Sequence, residues 1–119
     1  MKFQLKQSFA IESARFLPNL PKAHPCAHVH GHSFKIILTF VGEQNPKTGW
    51  VIDYHEISKK MAPLLKELDH QLLNEVEGLE NPTSENLTLW IYKRAKKVLP
   101  ELVRATVQET SSTECSYPA

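Results

Sequence analysis

Residues 30–42 constrain this chain more than any other segment. His30, His32, Phe34, Ile36, Leu38 and Phe40 fall on one face of an extended strand. Ser33, Lys35, Ile37, Thr39 and Val41 make up a mixed opposite face. A strand with large apolar residues along one face must bury it, and here that face begins with two imidazoles. The expected result is a site with an apolar floor and histidines at its mouth.

The remaining segments supply partners for that strand. Residues 2–16 alternate more loosely, through Phe3, Leu5, Phe9, Ile11 and Ser13, as a half-buried strand does. Pro18, Pro21 and Pro25 make residues 17–26 a loop with few free backbone donors. After the turn Asn45-Pro46-Lys47-Thr48-Gly49, Asp53 and Glu56 have the spacing of a capping box. The helix they open places Ile57, Met61, Leu64, Leu65 and Leu68 at helical intervals, and Pro63 is expected to bend or split it. A second helix, capped by Thr83 or Ser84, buries Leu87, Trp90, Ile91, Ala95, Val98 and Leu99 and ends at Pro100. Strands follow over residues 102–110 and 114–117. The order strand, strand, helix, helix, strand, strand implies one α+β domain over residues 1–119, an antiparallel sheet with both helices on one face.

Bulk properties narrow the function. A net charge of +1 offers no stripe for nucleic acid and no polybasic membrane face. No apolar run reaches the length of a membrane span. Met1 to Lys6 alternates polar and apolar residues instead of forming a signal-peptide core, so a cytoplasmic location is expected. Cys26 and Cys115 are expected to be free thiols.

Four groups could do chemistry. His30-Gly31-His32 could ligate a metal, or could be ordinary surface or packed histidines. Cys26, in the proline-bounded loop, is a base or nucleophile if a cationic site lies beside it, and otherwise a small buried hydrophobe. Asp69-His70 at the end of the first helix suits proton transfer only if the helix ends there, because adjacent helical residues do not face each other; a helix-terminal histidine is the alternative. Glu109, ending an apolar strand, could accept two hydrogen bonds from a guanidine-like ring edge, or could simply face water.

Taken together these segments resemble the 6-pyruvoyl-tetrahydropterin synthase family. The likeness is closest to its bacterial branch, the 6-carboxy-5,6,7,8-tetrahydropterin synthases of queuosine biosynthesis. It rests on Cys26-x-x-x-His30-Gly31-His32-Ser33-Phe34, Thr48-Gly49-Trp50-Val51-Ile52-Asp53 and Leu68-Asp69-His70-x-x-Leu73-Asn74. Glu80-Asn81-Pro82-Thr83-Ser84-Glu85, Glu109-Thr110 and Tyr117 extend it to nearly the whole chain. The resemblance implies the tunnelling fold, ββααββ subunits assembling into a barrel, with a homohexamer built as a dimer of trimers. It also implies conversion of 7,8-dihydroneopterin triphosphate to 6-carboxy-tetrahydropterin with release of triphosphate and acetaldehyde. A 6-pyruvoyl-tetrahydropterin product is the alternative within the family. In such enzymes three histidines hold Zn2+, two of them matching His30 and His32. Cys26 would be the base, Asp69 and His70 the proton relay, and Glu109 the pterin anchor.

One position departs from the pattern. The family carries Ala-His-x-Leu-Pro where this chain has Ala14-Arg15-Phe16-Leu17-Pro18, and arginine does not ligate zinc. His28 could substitute, although ligands at 28, 30 and 32 on one strand span roughly 13 Å at about 3.3 Å per residue. A bend at Gly31 or before His30 would be needed, and His24 is a further spare. Alternatively the chain is a zinc-deficient pterin binder or altered enzyme, with Arg15 holding a ligand phosphate or carboxylate. Thirdly, Arg15 is an unusual or engineered variant of an ordinary enzyme.

Overall fold

The computed structural model describes all 119 residues. The chain forms β1 (Lys2–Arg15), β2 (His30–Glu43), α1 (Tyr54–Leu68), α2 (Ser84–Val98), β3 (Leu102–Thr110) and β4 (Thr113–Tyr117). Short 3-10 turns lie at Pro25–Ala27 and Leu73–Glu75. The four strands form one antiparallel sheet in chain order, β1-β2-β3-β4. Both helices lie between β2 and β3 in sequence and pack on one face.

That face is the one the alternation of β2 marks out. Phe34, Ile36, Leu38 and Phe40 are fully buried with Ile11 from β1 and Leu102, Ala105 and Val107 from the β3 strand. Ile57, Met61 and Leu68 of α1 and Leu87, Trp90, Ile91 and Ala95 of α2 close over them. The register of β1 on β2 sets Ile11 opposite Phe34, Ser13 opposite His32 and Arg15 opposite His30. Directly opposed residues share a face, so Arg15 and both histidines stand at one end of the core.

Local details correct three expectations. First, α1 is not split: it continues through Pro63, which is exposed, so the carbonyl it leaves without an N–H partner faces solvent. Second, the capping box is half made: Asp53 accepts from the His55 N–H at 2.9 Å, while Glu56 makes no return bond. Third, Val98 is 37% exposed and lies outside the buried stripe of α2. The α2 cap is Thr83, which accepts from the Asn86 N–H. Pro63→Ala is expected to stabilise the fold by up to about 3 kcal/mol, the cost of proline in a helix interior. Urea denaturation checks this, and an unchanged midpoint would show that α1 absorbs the break without cost.

Candidate functional site at the head of β1 and β2

Arg15, the last residue of β1, is only 4% exposed. Its Nη2 forms an ion pair with Glu109 Oε1 at 2.5 Å, and its Nη1 donates to the Pro82 carbonyl at 2.9 Å. The guanidinium carbon lies 5.3 Å from the centre of the Phe34 ring. Glu109 lies two residues beyond the buried Val107, at a bulge where β3 has one residue more than β4 between Val107 and Thr110. The Ser84 hydroxyl, in the first turn of α2, donates to the same carboxylate oxygen. Burial pushes the Glu109 carboxyl up, but Ser84 and Arg15 outweigh it and hold it below the usual glutamate value. Glu109 Oε2 makes no hydrogen bond within the chain, and Glu109 lines a cavity of about 400 Å³ with Ser84, Thr113 and Cys115.

His30 and His32 stand beside this pair. Their rings meet edge to face with centroids 4.7 Å apart, and His32 lies 5.3 Å from Phe34. Burial, then the Arg15 charge, hold the His32 imidazole below the usual histidine value, against an upward pull from Glu109. His30 Nδ1 lies 2.7 Å from the His28 carbonyl. A carbonyl only accepts, so Nδ1 carries the hydrogen. The other ring nitrogen, Nε2, is buried without a partner.

His28 does not join them. The strand begins only at His30, and His28 caps the preceding 3-10 turn with its exposed ring donating to the Lys22 carbonyl at 2.9 Å. His24 is likewise engaged in that loop, its Nδ1 accepting from the Cys26 N–H at 3.0 Å. No three His, Cys, Asp or Glu side chains converge closely enough to hold one metal ion. The third place is taken by a permanently charged guanidinium already committed to Glu109. These residues do not fit a three-histidine zinc centre.

Asp69 and His70 form a second group. The α1 helix ends at Leu68, Asp69 caps it, and His70 adopts φ +58°. That left-handed step lets adjacent side chains meet, with His70 Nδ1 3.0 Å from Asp69 Oδ2. Strand β1 pins both: the Glu12 N–H donates to Asp69 Oδ1 at 2.8 Å, and the His70 N–H donates to the Glu12 carbonyl at 2.6 Å. The Glu12 N–H, then His70, hold the Asp69 carboxyl below the usual aspartate value. His70 and His32 are among the residues that line one open cavity of about 630 Å³, with Ser13 and Ser33.

Cys26 is half-buried in the 3-10 turn, and no hydrogen bond or ion pair links it to either group. Arg15, His30, His32 and Glu109 are therefore brought together, Asp69 and His70 adjoin them through the His32 cavity, and Cys26 and His28 stay apart. Sequence reasoning missed Ser84 as a partner of Glu109 and Glu12 as the support of Asp69. The Ser84 signal lay in the 80–85 motif, where it reads as a helix cap.

A family model described as 6-pyruvoyl tetrahydropterin synthase matches residues 4–119. A 6-carboxy-5,6,7,8-tetrahydropterin synthase of Synechocystis is 32% identical over 117 residues, 93% of this chain and 89% of that one. A dihydroneopterin monophosphate aldolase of Pyrococcus furiosus is 42% identical over 72 residues, and the match spans 60% of each chain. Among solved structures, the 6-pyruvoyl tetrahydropterin synthase of Caenorhabditis elegans superposes with a TM-score of 0.91 at 25% identity, covering 98% of this chain and 95% of that one. With its sheet, helices and nearly every residue accounted for, the chain belongs to the 6-pyruvoyl tetrahydropterin synthase family.

Proposed function

We propose that this chain is a pterin side-chain lyase of the 6-carboxy-5,6,7,8-tetrahydropterin synthase type, serving queuosine biosynthesis. It would convert 7,8-dihydroneopterin triphosphate and water to 6-carboxy-tetrahydropterin, acetaldehyde and triphosphate. The observation that carries this reading is Glu109: an ionised carboxylate at a strand end, with Oε2 open to a cavity large enough for a bicyclic ring. Its free oxygen accepts from an N–H donor on a pterin edge. The Synechocystis relative, similar along most of its length, favours the carboxy product.

The proton transfers fall to this chain's own groups. Asp69 orients the His70 imidazole, which exchanges protons at the ligand side chain. Cys26 is proposed as the second proton-transfer group, in a site partly built by a neighbouring copy. The exposed edges of β1 and β4 leave unpaired backbone groups for such an assembly, proposed as a homohexamer of sheets closed into a barrel. Zinc, which the resemblance implies, would find only His30 and His32, and no step is assigned to it.

Incubation of the purified protein with 7,8-dihydroneopterin triphosphate tests the reading. Acetaldehyde and 6-carboxy-tetrahydropterin are expected in equal amounts. A 6-pyruvoyl product without acetaldehyde would move the chain to the other branch. A hydroxymethyl pterin with a phosphorylated two-carbon aldehyde would assign aldol cleavage instead. Binding without turnover would overturn the enzyme reading.

A further inference from the structure

The register of β1 on β2 sets Arg15 directly opposite His30, with His32 two residues along the same strand face. Position 15 therefore shares one corner of the fold with both histidines, and its side chain decides what that corner holds. The corner is closed to water: Arg15 is 4% exposed, and Arg15 Nε and His30 Nε2 are both buried.

The two histidines keep features that suit a metal. His30 Nδ1–H is fixed by the His28 carbonyl, which leaves Nε2 a bare acceptor. That is the tautomer, and the kind of supporting bond, that a ligating imidazole uses. His32 stands edge to face with it, ring centroids 4.7 Å apart. Arg15 reverses the outcome. Its guanidinium only donates and stays protonated, so it offers no lone pair and repels a second cation at close range.

The same side chain ties the corner together without a metal. Its Nη2 pairs with Glu109 on β3, and its Nη1 donates to the Pro82 carbonyl ahead of α2. Its guanidinium carbon lies 5.3 Å from the Phe34 ring centre on β2. The carboxylate that Arg15 holds is thus the chain's own. The pair carries one charge of each sign, so the corner is balanced and has no call for a further cation.

We propose that Arg15 is a built-in cation that takes over from the zinc implied by the resemblance, making this chain a metal-independent member of its family, with residue 15 as the determinant. The disagreement between donor set and metal is then a replacement and not a decay. The inference stands apart from the pterin reading, because it is read from zinc content and unfolding and not from turnover.

Zinc content is measured after incubation with excess Zn2+ and desalting, and unfolding is followed in excess zinc and in excess chelator. The wild type is expected to keep no stoichiometric zinc and to unfold at the same midpoint in both. Arg15→Lys, which retains the cation, should behave likewise. Arg15→His is expected to keep about one equivalent, with a midpoint that rises in zinc and falls in chelator. Adding His30→Ala to Arg15→His should abolish that uptake, which separates this corner from the loop holding His24, Cys26 and His28. Stoichiometric zinc in the wild type, or a wild-type midpoint lowered by chelator, would overturn the proposal. An Arg15→His protein that folds but takes up no zinc would do the same, because the arginine would then not be what excludes the metal. Should Arg15→His fail to fold with Glu109 left buried and unpaired, Arg15→His/Glu109→Gln removes that charge and the same readings decide.

Discussion

Replacing Glu109 by leucine alone is expected to destabilise the fold by about 3–5 kcal/mol, the cost of leaving a buried charge without its partner. Arg15 is 4% exposed and sits over Phe34, so its charge is left largely desolvated and without its ionic partner once the carboxylate is gone. The double variant Arg15→Met/Glu109→Leu should recover most of that loss, because a buried ion pair exchanged for apolar residues is often neutral or stabilising. Urea denaturation at fixed protomer concentration gives all the free energies of the cycle. Additive single and double effects would show that the two residues are not energetically coupled. The same pair sets an acid dependence. The folded-state value of Glu109 is lowered, so its contribution is fully present above the ordinary value of 4.5 and is lost as pH falls through the lower folded value. The stability gap between wild type and Glu109→Gln should therefore narrow only on the acid side of 4.5. A gap that narrowed towards alkaline pH would assign it to a different group.

The contrast between β2 and Arg15 shows where sequence reading succeeds. Large apolar residues in period two leave β2 one way to bury its face, and the opposed strand and both helices follow from that need. Pro63 does not split α1 because the turn it affects faces solvent, where the freed carbonyl is hydrated. The period-two extrapolation to His28 failed because His28 caps a 3-10 turn that ends at Ala27, and the strand begins only at His30. The Asp69–His70 contact was conditional on a helix end, and the step to φ +58° that completes it leaves no mark in composition. Least legible was the Arg15–Glu109 pair. It depends on the register of three strands, which is not a property of any local window. The missing histidine was visible as an identity, but its physical consequence was not.

His70→Gly separates the chemistry of the second group from its structural role. Removing a general acid or base lowers turnover by about 10²- to 10⁴-fold. An ordinary His→Ala change at this position would confound that loss with backbone strain, because φ +58° disfavours any side chain. Glycine adopts the same turn freely and leaves the His70 N–H to donate to the Glu12 carbonyl, so the fold should be as stable as wild type or slightly more so. The expected result is an unchanged or raised unfolding midpoint, pterin affinity close to wild type, and turnover reduced by about two to four orders of magnitude. Asp69→Asn probes the support. Its side-chain oxygen can still accept from the Glu12 N–H, but the charge that orients the His70 ring is gone. Turnover should fall, though less than with His70→Gly, while the unfolding midpoint stays close to wild type. Wild-type turnover in His70→Gly would remove Asp69–His70 from the mechanism and leave Cys26 as the proton-transfer group to test.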